Sequence, residues 1–173
     1  GSFTTALIKA LYTHHHRLLS TADLAELACE IEINKLGAPI GKQDQYSAAY
    51  GGVTCFTYRR TDRVEATPLK ATRDTLNRLE DNLLLFFTGF SRQANTVLTD
   101  QRTRLGQSES TILANLHLAK TLAQESRARL ESGETQAFGR LLHEQWTAKK
   151  ARCPHATNPT IDGLYQTGLD HGA

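Results

Sequence analysis

The run Pro39-Ile40-Gly41-Lys42-Gln43-Asp44-Gln45-Tyr46, closing on Gly51-Gly52, constrains this chain more than any other stretch. It follows a helical segment that Gly37 and Pro39 end, so Asp44 falls in a turn or at a helix start. Backbone N–H groups there lack intrahelical partners, and anionic groups are favoured. A carboxylate set among glycines, amides and a lysine suits chemistry on a ligand. It also suits a helix cap between two turns, the usual role of a lone aspartate near glycine.

Composition agrees with a soluble globular piece. Apolar residues make up 39% of the 173, charged residues 22%, and the formal net charge is +2. Those values argue against disorder, a strongly acidic partner or a nucleic-acid surface. No apolar run approaches the roughly 20 residues of a membrane helix, and no signal peptide is visible. Cys29, Cys55 and Cys153 are odd in number and far apart, without Cys-x-x-Cys spacing, so neither a disulfide framework nor a zinc site is indicated. A reducing cytoplasm is the simplest location.

Along the chain, Phe3 to Leu11 has helical spacing, with Ala6, Leu7, Ala10 and Leu11 on one face. His14-His15-His16 then breaks the pattern and reads as solvated, because adjacent helical side chains diverge by about 100°. Ser20 with Asp23 starts the next helix, which runs to about Leu36 with Leu24, Leu27, Ala28 and Ile31 buried. Glu26 and Glu30 fall on its solvent side. Glu32 falls on the flank of the apolar face, where an ionised carboxylate needs a salt bridge, a metal or another cation. Val53 to Arg60 reads as a strand, Thr61 to Thr67 as a polar link near a domain boundary, Leu69 to Leu79 as helical and Asn82 to Thr88 as a buried strand.

The later segments read mostly as helices. From Ser108 one stripe is Ile112, Leu113, Leu116, Ala119 and Leu122, and a second is Phe138, Leu141, Leu142 and Trp146. A last helix begins at Asn158-Pro159, with Ile161, Leu164, Tyr165 and Leu169 inward. His143 reads as a hydrogen-bonded structural histidine. Lys149 and Lys150 read as solvated, with a substrate phosphate the alternative. Ser91 and Arg92 suit phosphate or sugar hydroxyls as well as they suit an ordinary helix start.

Several of these motifs together resemble the GHMP superfamily of small-molecule kinases, nearest to its heptose-7-phosphate kinase branch. The resemblance rests on Glu30-Ile31-Glu32-Ile33, on Gly41-Lys42-Gln43-Asp44-Gln45-Tyr46 through Gly51-Gly52, and on Thr88-Gly89-Phe90-Ser91-Arg92. Leu142-His143-Glu144-Gln145-Trp146 and Asn158-Pro159-Thr160-Ile161-Asp162 extend it over nearly the whole chain. It implies an α+β chain of GHMP-kinase-like two-domain architecture. Residues 1–66 would end a ribosomal-protein-S5-like domain, and residues 67–173 would begin a ferredoxin-like C-terminal domain.

The implied activity is ATP-dependent, Mg²⁺-assisted phosphorylation of a sugar phosphate, by analogy D-glycero-D-manno-heptose 7-phosphate at its anomeric hydroxyl. Asp44 would be the catalytic base and Glu32 would help hold Mg²⁺; Lys42 beside Asp44 suits a role in lowering its pKa and keeping it ionised, and equally suits plain contact with solvent. Gly1 and Ser2 would contact the nucleotide, while Gln43, Gly51, Gly52 and Arg92 would contact the substrate. Gly1-Ser2-Phe3-Thr4-Thr5 resembles the segment just after the family's phosphate loop, and His171-Gly172-Ala173 the segment before its late glycine-rich loop. The resemblance thus implies an internal fragment, inactive alone. No nucleic acid or membrane is expected as a partner, and a homodimer is compatible with the sequence. Another GHMP kinase of fucose or mevalonate type, and a non-catalytic binding module, remain open.

Overall fold

The computed structural model describes residues 1–89, 110–153 and 156–173, and the chain divides into two compact units, Gly1–Leu69 and Lys70–Ala173. The first unit begins with α1 (Ser2–His14) and α2 (Thr21–Cys29). Ser20 caps α2, its hydroxyl accepting from the Asp23 N–H at 3.1 Å and donating to the Asp23 carboxylate at 2.6 Å. Beyond Cys29 the helix continues as a π-helical segment, Glu30–Lys35, in which the Leu36 N–H reaches back to the Ile31 carbonyl. The expected helix is therefore continuous but widens where Glu32 sits, and such widenings are rare and often found at functional sites. Gly37 (φ +65°) ends it.

Next come α3 (Gln43–Tyr50) and an antiparallel hairpin of β1 (Thr54–Tyr58) and β2 (Val64–Pro68), with Phe56 opposite Ala66. The second strand corrects the polar link expected over residues 61–67. Val64-Glu65-Ala66-Thr67 alternates apolar and polar, and pairing with β1 satisfies its backbone. Two small cores hold the unit: Ile8, Leu24 and Ala28, and Ala25, Cys29 and Tyr46 with Phe56 and Val64 against them. Tyr46, Tyr50 and Phe56 form an aromatic cluster with ring centroids 5.7–6.0 Å apart. On α1 the face that packs is Thr5, Ile8 and Tyr12, whereas Leu7 and Leu11 are half exposed. The face expected to pack, Ala6, Leu7, Ala10 and Leu11, is instead exposed, because contact with α2 buries the other one.

The second unit contains α4 (Arg73–Asp81), α5 (Ser110–Glu131), α6 (Thr135–Arg152) and α7 (Pro159–Asp170). Helices α5 and α6 pack as a helical hairpin around Ile112, Leu122, Leu130, Leu141 and Ala148. The Asn115 amide donates to the Ala148 carbonyl at 2.9 Å. Leu113, Leu142 and Leu164, read as inward, are exposed, and α7 buries none of its residues fully. Residues 82–88 are not a strand: Leu83 to Phe87 run from 55 to 101% exposed, and among the described residues no strand pairs with them. An apolar run has strand character only when a neighbour completes its hydrogen bonds. His143 is hydrogen-bonded as expected, its Nδ1 2.8 Å from the Tyr165 hydroxyl. Lys150 pairs with Asp162 at 3.3 Å and lies over the Trp146 and Tyr165 rings.

Candidate functional site

Asp44 lies in the first turn of α3 and is exposed. It does not cap the helix: Lys42 occupies the N-cap position without a side-chain bond to the free N–H groups, and among the described residues the Asp44 carboxylate has no hydrogen-bond or ion-pair partner. Its negative charge still meets the positive end of the helix dipole. Asp44, Ser47 and Ala48 share one wall of an open depression of about 450 Å³, and Gly1 and Ser2 form the other. At Gly1 the approach is close, since a Cβ there would stand 3.0 Å from the Asp44 Cβ and 3.4 Å from its carbonyl. Helix α1 begins at Ser2 without a side-chain cap or an acidic residue in its first turn, leaving N–H donors for an anion.

Glu32 sits beneath this contact, 8% exposed. One carboxylate oxygen accepts from the α-ammonium of Gly1 at 2.5 Å and from the Thr4 hydroxyl, and the other accepts from the Gln45 amide. Burial alone would raise its pKa, but the hydrogen bonds from the Gly1 nitrogen, Thr4 and Gln45 outweigh it and hold the carboxyl below the usual range. Through Thr4 and Gln45, Glu32 therefore joins α1, the π segment and α3. Its folded pKa lies below its unfolded one. The stability it adds is therefore complete above the unfolded value, about pH 4.3, and is lost as pH falls through the folded value. Denaturant titrations of this chain from pH 7 to 3 should show that loss, with Glu32→Gln flattening the profile. Parallel profiles for the two proteins would contradict the pairing.

Lys42, expected to act on Asp44, gives its ammonium to Glu26 at 3.1 Å and to Asp62 at 3.0 Å. Glu26 is accordingly not a free solvent-side residue. It also accepts a hydrogen bond from the Tyr46 hydroxyl. Burial, and then the hydrogen bond to Glu26, hold that phenol well above its ordinary pKa. Gly51 and Gly52, at φ +63° and +58°, terminate α3 at the end away from Asp44, a helix length of about 12 Å. Gln43 is exposed beside Asp44. Ser91 and Arg92 lie outside the described residues.

Thr4 and Gln45 were not singled out by sequence reasoning. Gln45 is fully buried, and its amide oxygen has no partner. Its only sequence signal was its place beside Asp44. Cys29 is buried, and desolvation followed by Glu26 pushes its thiol up to about 11, so it stays protonated near neutrality. Among the described residues no three His, Cys, Asp or Glu side chains form a metal cluster, and no helix is long and apolar enough to cross a membrane.

Residues 1–52, which carry Gly1, Glu32 and Asp44, match the GHMP kinases N terminal domain. Over all 173 residues the chain is 28% identical to the D-glycero-alpha-D-manno-heptose 7-phosphate kinase of Campylobacter jejuni and covers 50% of that protein. A crystal structure of a D-glycero-D-manno-heptose 1-phosphate kinase from Bacteroides thetaiotaomicron superposes with a TM-score of 0.68 at 30% identity. That match covers 84% of this chain and 41% of the other. A Campylobacter jejuni crystal structure described as a sugar kinase gives a TM-score of 0.71 at 26% identity, covering 99% of this chain and 47% of that one. The chain is GHMP-kinase-like in sequence and in fold. Its mixture of helices with a two-stranded sheet is the α+β content expected, and the relatives it matches are named as kinases. It spans about half the length of the curated relative.

Proposed function

We propose that this chain is part of an ATP-dependent sugar kinase that phosphorylates a sugar phosphate, with D-glycero-D-manno-heptose 7-phosphate, at its anomeric hydroxyl, the first substrate to test. The observation that carries the reading is the exposed Asp44, unpaired among the described residues, lining one depression with Gly1 and Ser2 at the start of α1. In this reading the free N–H groups at the start of α1, from Ser2 onward, receive nucleotide phosphate oxygens, and Asp44 accepts the proton of the attacking hydroxyl or aligns it. Gln43 stands where it could contact that sugar. Residues 1–66 would close the nucleotide- and substrate-binding domain and residues 67–173 would open the next, in a cytoplasmic enzyme.

The residues present fit a magnesium ion held largely by nucleotide phosphates. Glu32 supplies a hard carboxylate, three hydrogen bonds occupy three of its about four acceptor positions, and one remains on the oxygen that Gln45 contacts. Glu32 would hold the ion, which supplies neutralising charge to the transferring phosphoryl group. Thr4 and Gln45 would fix the carboxylate so that it does not swing away. A panel of sugar phosphates and free sugars with ATP, tested on the full-length polypeptide, checks the assignment, and a preference for fucose or a mevalonate-type alcohol would replace the substrate.

The 173 residues alone should show no turnover with any sugar, because phosphoryl transfer depends on positioning the nucleotide and this chain spans only half of its relative. Coupled assays on the purified chain check this. Measurable turnover would mean that these 173 residues suffice.

A further inference from the structure

We infer that Lys42 is a positioning residue: with Glu26, Asp62 and Tyr46 it clamps one side of the first turn of α3, and thereby holds Asp44, on the opposite side, against Gly1. The Lys42 ammonium lies within 3.0–3.3 Å of four acceptors: both oxygens of Glu26, one carboxylate oxygen of Asp62 and the Asp62 carbonyl. Tyr46, one turn further along α3, donates to the same Glu26 carboxylate. One acidic side chain of α2 therefore grips positions 42 and 46, which share a face of the helix. Position 44 is rotated by about 200° from position 42 and so faces away from the grip. Position 45 takes the third direction, where its amide meets Glu32. The first turn is held at two sides and open at Asp44.

The hairpin takes part through an unusual residue. Asp62 has φ +63°, a left-handed conformation that aspartate tolerates better than most residues, and that turn brings both its carbonyl and its carboxylate to Lys42. Two carboxylates around one ammonium leave no net positive charge to act on Asp44. Lys42 thus acts through backbone placement rather than through its charge. Exposed ion pairs of this kind contribute little to global stability. Their convergence on one turn is the informative feature.

This inference rests on the kinase reading for its kinetic arm only. In the full-length polypeptide, Lys42→Met should lower kcat about tenfold to a hundredfold, with KM for ATP and the acid limb of the kcat–pH profile unmoved. Lys42→Arg, which keeps the ion pairs, should recover most of the loss. An acid limb displaced upward in Lys42→Met would show that the ammonium acts on Asp44 by charge, and unchanged kcat would show no role at all; either overturns the clamp. The second arm needs no activity. The Tyr46 amide donates to the Lys42 carbonyl and closes the first turn, so its hydrogen exchange should quicken in Lys42→Met and, to a smaller degree, in the surface variant Asp62→Ala. Unchanged exchange in both overturns the inference. An inactive wild type with altered exchange would instead sink the kinase reading and leave the clamp standing.

Discussion

Replacing Asp44 by Asn in the full-length polypeptide should lower kcat by ~10²–10⁴-fold, the usual contribution of a positioned general base, while KM for ATP changes little. The substitution keeps the shape and removes the charge and the proton acceptor. The structure makes the experiment clean, because Asp44 neither caps α3 nor bonds another side chain. All that its charge adds to stability is an interaction with the helix dipole, about 0.3–1 kcal/mol at an exposed site. A folded Asp44→Asn protein with near-normal kcat would remove Asp44 from the mechanism. Steady-state kinetics at saturating sugar phosphate, with thermal melting as the control for folding, provide the measurement.

Glu32→Gln should be the second most damaging change, and its effect should have two parts. The carboxylate accepts hydrogen bonds from the Gly1 nitrogen, Thr4 and Gln45. A glutamine amide would turn one acceptor into a donor facing donors, and hydrogen bonds to a charged group are worth about 1.5–3 kcal/mol each. The chain should therefore lose stability by an amount of that order. Activity at limiting Mg²⁺ should fall further than stability explains, since the ion would lose the carboxylate proposed to hold it. Glu30→Gln is the control: Glu30 is exposed, its carboxylate meets Asn34 and Lys35, and the change should alter neither quantity appreciably. Equal effects of the two substitutions on melting temperature and on activity across a Mg²⁺ titration would refute the assignment of Glu32.

Much of this site was legible before any coordinates. The glycine and proline that end the second helix place Asp44 at the next helix start, and the apolar periodicity of residues 24–31 leaves Glu32 on the flank of a buried stripe. Capping residues located α2 and α7 because their hydrogen bonds are local, as at Ser20 and Asn158. Local rules failed wherever a partner distant in sequence decided the outcome. Periodicity pointed to the Ala6, Leu7, Ala10 and Leu11 face of α1, whereas packing against α2 buried Thr5 and Ile8. The apolar run at Leu83 to Phe87 looked like a strand, yet a strand exists only when a second one accepts its hydrogen bonds.

The sequence by itself determined the helix ends, the exposed carboxylate at Asp44 and the costly position of Glu32, because capping, glycine conformation and periodic burial act within a few residues. Only the tertiary structure decided which groups answer those carboxylates. Gly1 and Thr4 come to Glu32 from about thirty residues away, and Lys42 turns to Glu26 and Asp62 rather than to Asp44. The physical reason is that the screened attraction between exposed charges is worth at most about 1 kcal/mol. Proximity in sequence does not choose their partners; the packing of α2, α3 and the hairpin does.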